Sequence, residues 1–377
     1  MKEKKICSAT LCVTHKCNLN CVYCYQEHDS KSRMDFSIAK EIIDNLLLTA
    51  EKENKQVEVN FIGGEPLLEF DLIKNIVEYV KSLELHVPYR FFATTNGTLL
   101  TDKMKDWFYI NRTIISLGLS LDGDKETQNY NRSNSFEKID FNFFKNTWKN
   151  QSVKMTLSNY SLKNFAHDVK FINSLGFSIV GTNLAEGDFD WGKEEYIKIL
   201  SLQLKELSDF YYENDTLILP QMFNIHLEVC ESKTKQKRKY CGIGEGTIFY
   251  DVDGCKYPCA YTTPMTFNEK ELEELNNIDY LNPENFIDED CFSNCYIYPI
   301  CRTCAAACYK VNKTFKKRIK SKCQLQKLMI LFAADIQARR IVKNPKKFDQ
   351  KKLSGTIKAI KKIKNLYLDE FKSLQLI

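Results

Sequence analysis

Cysteine placement constrains this 377-residue chain more than any other feature. Of fifteen cysteines, five precede residue 25, none falls between Tyr25 and Val229, and ten lie between Cys230 and Cys323. Disulfide scaffolds belong mostly to secreted chains below about 100 residues. This chain is far longer, and its start, MKEKKICSATLCVTHKC, has basic residues but no apolar signal segment. A cytoplasmic protein is therefore expected, and clustered thiols in a reducing compartment read as metal ligands. No uninterrupted apolar stretch approaches the ~18 residues that cross a bilayer, so no membrane partner is expected.

At 44% hydrophobic and 27% charged residues, wholesale disorder and collagen-like repeats are excluded. The length fits two or three domains. Strand-like apolar runs at 6–13, 57–62, 89–95, 114–121, 152–158 and 177–183 alternate with helix-period segments at 37–52, 70–83, 101–109, 136–149, 161–175 and 194–213. Ser37 and Ser161 are N-cap candidates, and Gly176 is placed to stop the helix before it. Six strands each followed by a helix predict a parallel α/β domain over residues 1–215, as an open sheet or a partial barrel. From 216 to 330 the pattern breaks into short cysteine-rich pieces that bury too little apolar surface to stand without metal. Residues 331–377 read as basic amphipathic helices. From Tyr309 onward there are twenty Lys and Arg against four Asp and Glu, so the overall net charge of +5 hides a strongly basic tail.

The first thiol group is Cys17-x3-Cys21-x2-Cys24, directly after the first strand. Most four-iron clusters take four thiolates, so three on one loop leave an iron open. On spacing alone, a zinc knuckle or unlinked core thiols are alternatives. Other residues follow in order at successive strand ends: Gly63-Gly64-Glu65-Pro66, then Thr94-Thr95-Asn96-Gly97, then Ser120-Leu121-Asp122-Gly123, with Arg132 nine residues on. Ligand sites collect at the carboxyl ends of parallel strands.

This set, with Tyr23 just before the third cysteine, resembles the radical S-adenosylmethionine (radical SAM) enzymes. The resemblance implies a partial six-stranded (β/α) barrel whose 4Fe-4S cluster is held by Cys17, Cys21 and Cys24. It implies SAM bound by Tyr23, Gly63, Gly64, Glu65, Pro66, Asn96, Ser120, Asp122 and Arg132. In that scheme the glycine segment meets the methionyl amino group, Asp122 accepts from ribose hydroxyls, and the Arg132 fork pairs with the SAM carboxylate.

The C-terminal cysteines resemble the SPASM extension of the same family, which carries two auxiliary 4Fe-4S clusters. Cys241, Gly254 and Cys259 meet the start of its pattern. Cys291-x3-Cys295-x5-Cys301-x2-Cys304 departs from the rest by exchanging two gap lengths, and Cys308 is extra. By resemblance, Cys291, Cys295, Cys301 and Cys323 hold one auxiliary cluster, and Cys241, Cys259 and Cys304 hold the other. The fourth ligand of the latter is open among Cys230, Cys255, Cys308 and substrate. Structural zinc is the alternative for this region.

Such enzymes cleave SAM to methionine and a 5′-deoxyadenosyl radical, with electrons from an external one-electron reductant. Those with SPASM domains mostly act on peptides. The expected function is therefore maturation of a ribosomally made precursor peptide, by a thioether or another cross-link. The sulfatase-maturing branch would place an acidic residue after Cys259, where this chain has Ala260. An RNA-modifying enzyme would need a nucleic-acid module that is not apparent, so no nucleic-acid partner is expected. With Cys17 so near the start, no separate leader-binding domain is expected ahead of it. Lys316, Lys317, Arg318, Lys320, Arg339, Arg340, Lys343, Lys346 and Lys347 either meet an acidic leader or form a solvated face.

Overall fold

Period-two alternation of apolar residues makes strands where the sequence analysis places them. In the computed structural model, the described residues are 6–28, 31–177, 179–187, 189–232, 234, 236–237 and 239–372. Strands β1 (Ile6–Thr14), β2 (Gln56–Gly63), β3 (Tyr89–Thr95), β4 (Ile115–Ser120), β5 (Ser152–Leu157) and β6 (Ile179–Leu184) match the six expected runs. The run at 177–183 includes Ser178, which lies outside the described residues, as do residues 373–377 of the expected terminal helix. Helices α1 (Phe36–Glu53), α2 (Phe70–Lys81) and α3 (Asp102–Ile110) follow the first three strands, and the short α4 (Lys125–Asn131) follows β4.

The helix expected over 136–149 is instead a 3-10 turn, Phe136–Lys138, followed by α5 (Phe141–Thr147). Asp140 sets that start, because its carboxylate accepts the Phe143 N–H at 3.0 Å as an N-cap. Asp35 rather than Ser37 occupies the N-cap position of α1. Ser161 opens a 3-10 turn, Ser161–Asn164, ahead of α6 (Phe165–Ser174), and Gly176 follows that helix at a φ of +91°.

Contacts group the chain into two units. The first comprises Met1–Leu121, Gln128–Gln151 and Gly242–Leu281. Its strands run in the order β4-β3-β2-β1-β7-β8, with β7 at Thr247–Tyr250 and β8 at Lys256–Tyr257. Every pairing from β4 to β7 is parallel, and only β8 is antiparallel. Phe61 stands opposite Leu11 on one side and Ala93 on the other, and all three are fully buried, as a covered parallel sheet requires. Ile43 of α1 and Ile73, Ile76 and Val77 of α2 bury fully in this unit. The parallel register brings the carboxyl ends at Thr14, Gly63, Thr95 and Ser120 to one edge. The unit also contains α8 (Glu269–Asn276), which starts with an Asn268–Glu271 capping box.

The second unit comprises Asp122–Thr127, Ser152–Cys241 and Asn282–Ile377. β5 and β6 pair in parallel from Ser152 opposite Ile179 to Leu157 opposite Leu184. The unit continues with α7 (Glu194–Glu213), α9 (Glu289–Asn294), α10 (Ala305–Asn312), α11 (Cys323–Lys343) and α12 (Gln350–Lys372). α7 packs along α11, α11 along α12, and α12 against the 3-10 turn Leu227–Glu231. Consecutive residues Ile330 to Ala334 of α11 are all buried, so this helix is enclosed mid-length rather than laid on a surface. No described helix is long and apolar enough to cross a membrane.

Candidate functional site

The cysteine loop leaves β1 at Thr14 and is tied down at several points. His15 Nε2 lies 2.6 Å from the Asp251 carboxylate. The Gly64 N–H donates to the Thr14 carbonyl at 3.0 Å and the Glu65 N–H to the Lys16 carbonyl at 2.9 Å, so the segment after β2 runs against the loop. On its far side the Val22 N–H donates to the Asn131 carbonyl and the Asn20 N–H to Ser133 Oγ, fastening the loop to the stretch that carries Arg132. Cys17, Cys21 and Cys24 on this loop are in no disulfide.

Burial raises the Cys17 thiol, and the nearby Glu65 and Cys24 charges add to that rise. Burial also opposes the Cys24 thiolate, but there the His28 contact and the Arg132 charge outweigh it and hold the thiol below its ordinary range. His28 Nε2 stands 3.4 Å from Cys24 Sγ, while its Nδ1 donates to the His15 carbonyl at 3.0 Å. The Arg132 guanidinium lies 5.3 Å from the Tyr23 ring centre. Three reduced thiols with a cation beside them fit the open-iron cluster expected here. His28 was not foreseen; its spacing four residues after Cys24 was the available signal.

The two glycines meet the loop itself. A β-carbon on Gly63 would lie 2.4 Å from the Thr14 carbonyl oxygen, and one on Gly64 would lie 2.4 Å from that of Lys16. Pro66 begins the turn Pro66–Glu69, of which Pro66 and Leu67 are buried. The Glu65 side chain is buried and accepts from the Leu67 N–H, from Thr95 Oγ1 at 2.7 Å and from the Asn96 N–H at 2.8 Å. Burial pushes its carboxyl up to about 7, against the pull of those donors and of Arg132. Asn96 turns its side-chain amide to Asn18 in the cysteine loop, at 2.9 Å. Cysteine loop, Glu65 segment, Asn96 and Arg132 thus form one connected assembly in the first unit, with Ser120 at the end of β4 in the same unit.

Asp122 belongs to the second unit, is fully buried, and accepts the Thr156 N–H at 2.9 Å. Behind it, Asp168 accepts the Asp124 N–H and the Thr127 hydroxyl, and a β-carbon on Gly123 would meet the Asp168 carboxyl at 2.2 Å.

In the second unit a cavity of about 370 Å³ is lined by Cys241, Cys291, Cys295, Cys301, Cys304, Cys308 and Cys323, together with Arg318, Lys320 and Lys322. Cys291, Cys295, Cys301 and Cys323 lie near enough for their charges to act on one another. Burial pushes Cys301 up to about 12. Lys320 Nζ stands 3.7 Å from Cys291 Sγ, and Tyr367 of α12 places its hydroxyl 3.9 Å from Cys295 Sγ. A reduced four-thiol set facing cations suits an anionic iron-sulfur cluster. Burial pushes Cys230, on the turn Leu227–Glu231, up to about 12, and the charge of Cys295 adds to that rise more than any other. Cys255 and Cys259 belong to the first unit, where Ala260 packs on the buried cluster of Cys12, Phe249 and Met265.

Much of the basic tail is engaged within the second unit. Arg339 pairs with Asp209 at 2.7 Å. Arg340 donates to the carbonyls of Tyr211, Leu217 and Asn214 at 2.7, 3.2 and 3.4 Å, closing the C-terminal end of α7. Lys343 donates to the Tyr212 carbonyl, and Lys343 and Lys347 both face Asp215. Arg318 lies against the Tyr298 ring beside the thiols.

Residues 11–143 match the profile of the Radical SAM superfamily. That match gives residues 11–143 the radical SAM domain and makes the chain a radical SAM enzyme, a class for which SAM and at least one iron-sulfur cluster are the expected cofactors. It is 24% identical over 358 residues to the radical SAM cyclopropyl synthase TigE of Paramaledivibacter caminithermalis, covering 87% of this chain and 74% of TigE. It is 40% identical over 111 residues to the uncharacterized protein MJ0907 of Methanocaldococcus jannaschii, 29% of this chain, and spans only 37% of that relative's length. In fold it resembles the native anSMEcpe structure with bound AdoMet and the Cp18Cys peptide, with a TM-score of 0.65 and 19% identity over 89% of this chain and 99% of that one.

Proposed function

We propose that this chain is a peptide maturase that cleaves SAM reductively and modifies a ribosomally made precursor peptide, by a thioether or another cross-link. The observation that carries the reading is the latch between the thiol loop and the segment after β2, in which Gly64 and Glu65 donate to Thr14 and Lys16 while Arg132 stands beside Cys24. The radical SAM core would span 1–215, the auxiliary-cluster segment 216–330 and the basic helices 331–377. Three 4Fe-4S clusters would be held by Cys17, Cys21 and Cys24, by Cys291, Cys295, Cys301 and Cys323, and by a set including Cys241, Cys259 and Cys304. Bound there, such clusters would supply one electron to SAM and accept the electron left when a bond closes onto a substrate radical.

The chain's own residues bind and orient. Arg132 offers a two-pronged partner for the SAM carboxylate, and Tyr23 flanks its guanidinium. Glu65 braces the ends of β2 and β3 so that Asn96 and the cysteine loop stay in register. A peptide substrate is favoured by the Cp18Cys peptide bound in the anSMEcpe structure and by the precursor peptide SuiA bound in the SuiB structure of Streptococcus suis. Ala260, packed in an apolar nest, offers no base after Cys259, which sets the reading apart from oxidation of a sulfatase Cys or Ser.

The test is anaerobic incubation of reconstituted protein with SAM, a chemical reductant and candidate precursor peptides. Formation of 5′-deoxyadenosine with a peptide mass loss of two hydrogens is expected. Cys17, Cys21 and Cys24 changed together to Ala should remove all cleavage and about four irons. Unchanged cleavage in that variant overturns the assignment.

A further inference from the structure

On the reading above, Cys241 and Cys304 would share one auxiliary cluster, and three other cysteines, Cys230, Cys255 and Cys308, are candidates to complete its ligands. Cys230 sits under α12 on the turn Leu227–Glu231, with Cys295 as its thiol neighbour. Cys255 is exposed in the first unit, where the Asp253 contact and then burial raise its thiol. Cys308 alone of the three lines the cavity shared by Cys241 and Cys304.

Local structure brings Cys304 and Cys308 together. Cys304 is the N-cap of α10, and its Sγ accepts the Ala307 N–H at 3.5 Å. Cys308 follows four residues later, its N–H donating to the Cys304 carbonyl at 3.0 Å, so the first turn of the helix ties the two residues together and both line the same cavity. Arg318 and Lys322 line the same cavity and add positive charge near Cys308. A core thiol would explain the 4% exposure of Cys308 equally well, but not its place in a cavity walled by six further cysteines and four cations, Arg302, Arg318, Lys320 and Lys322.

We propose that Cys308 is an iron ligand acting with Cys241 and Cys304, so that the N-cap thiol of α10 and the thiol one turn into the helix anchor one auxiliary cluster. This rests on the reading that the chain carries auxiliary clusters, and the experiment separates the two. Full-length protein is reconstituted anaerobically, and iron content and the reduced-state electron paramagnetic resonance spectrum are measured for wild type, Cys308→Ala, Cys308→Ser and Cys230→Ala. Wild type is expected to hold about twelve irons at four per cluster. Both Cys308 variants are expected to lose up to about four of them or to show a changed auxiliary signal, while Cys230→Ala keeps both.

Melting of the iron-free forms distinguishes a ligand from a packing residue, because Cys308→Ser nearly preserves shape. Lost iron with an unchanged apoprotein melt supports the proposal. Wild-type iron and spectrum in both Cys308 variants overturn it, as does iron loss accompanied by collapse of the apoprotein melt in both. Wild-type protein holding only about four irons would instead overturn the auxiliary-cluster reading itself.

Discussion

Gly64 lies directly on Cys17: a β-carbon at position 64 would stand 2.8 Å from the Cys17 main-chain nitrogen and 2.6 Å from the Lys16 carbonyl carbon. Both obstructing atoms are backbone, so the loop cannot yield by rotating a side chain. Gly64→Ala should displace the cysteine loop, cost about 1–3 kcal/mol of stability and abolish most 5′-deoxyadenosine formation. Hydrogen exchange across residues 15–24 reads the displacement, and wild-type exchange with wild-type cleavage would count against the latch.

Glu65 gives the apoprotein a pH dependence of defined sign. Its folded-state pKa is raised to about 7 by burial, so between the ordinary carboxylate value and 7 the folded chain keeps a proton that the unfolded chain has lost. The contribution is full below that window and disappears as pH rises through about 7, with an upper bound of about 3 kcal/mol. Urea midpoints should decline across the window. Glu65→Gln should remove that slope while losing stability throughout, because its amide nitrogen would face the Asn96 N–H. A flat wild-type profile would contradict the assignment.

Arg132→Lys keeps the charge but loses the planar fork. If the guanidinium meets the SAM carboxylate with two hydrogen bonds, the lysine variant should bind SAM weaker by about 1.5–3 kcal/mol, roughly ten- to a hundredfold. Equilibrium binding to the anaerobic protein measures this. Wild-type affinity would remove Arg132 from the SAM site.

Arg340 tests whether the basic tail is structural. Arg340→Ala strips donors from three carbonyls at the end of α7, and should lower stability by about 1–3 kcal/mol with no change in the salt dependence of peptide binding. A stable variant with weakened, salt-insensitive peptide binding would restore the leader-docking role.

The six strands and most helices were legible because each carries its own apolar period. α4 was not, since Lys-Glu-Thr-Gln-Asn-Tyr-Asn offers no apolar stripe, and α5 was overextended because Asp140 looks like any polar residue until it caps the Phe143 N–H. The cysteine loop, Glu65 and Arg132 could be picked out by motif and spacing. The tail could not be resolved in the same way: Arg340 meets the Tyr211 carbonyl across 129 positions, a distance no local pattern encodes. The partition of the C-terminal thiols was equally hidden, because Cys230 and Cys295 become neighbours only through the turn that α12 covers.

The placement of Tyr367 beside Cys295 gives the far end of the chain a custodial part. α12 walls one side of the thiol group, so proteolysis that nibbles inward past Tyr367 would open this group to water and dioxygen while leaving the N-terminal cysteine loop in place. If that group holds the auxiliary cluster proposed above, a clipped molecule would keep its SAM site yet fail to hand on electrons, and damage to α12 would be reported as a redox fault rather than as unfolding.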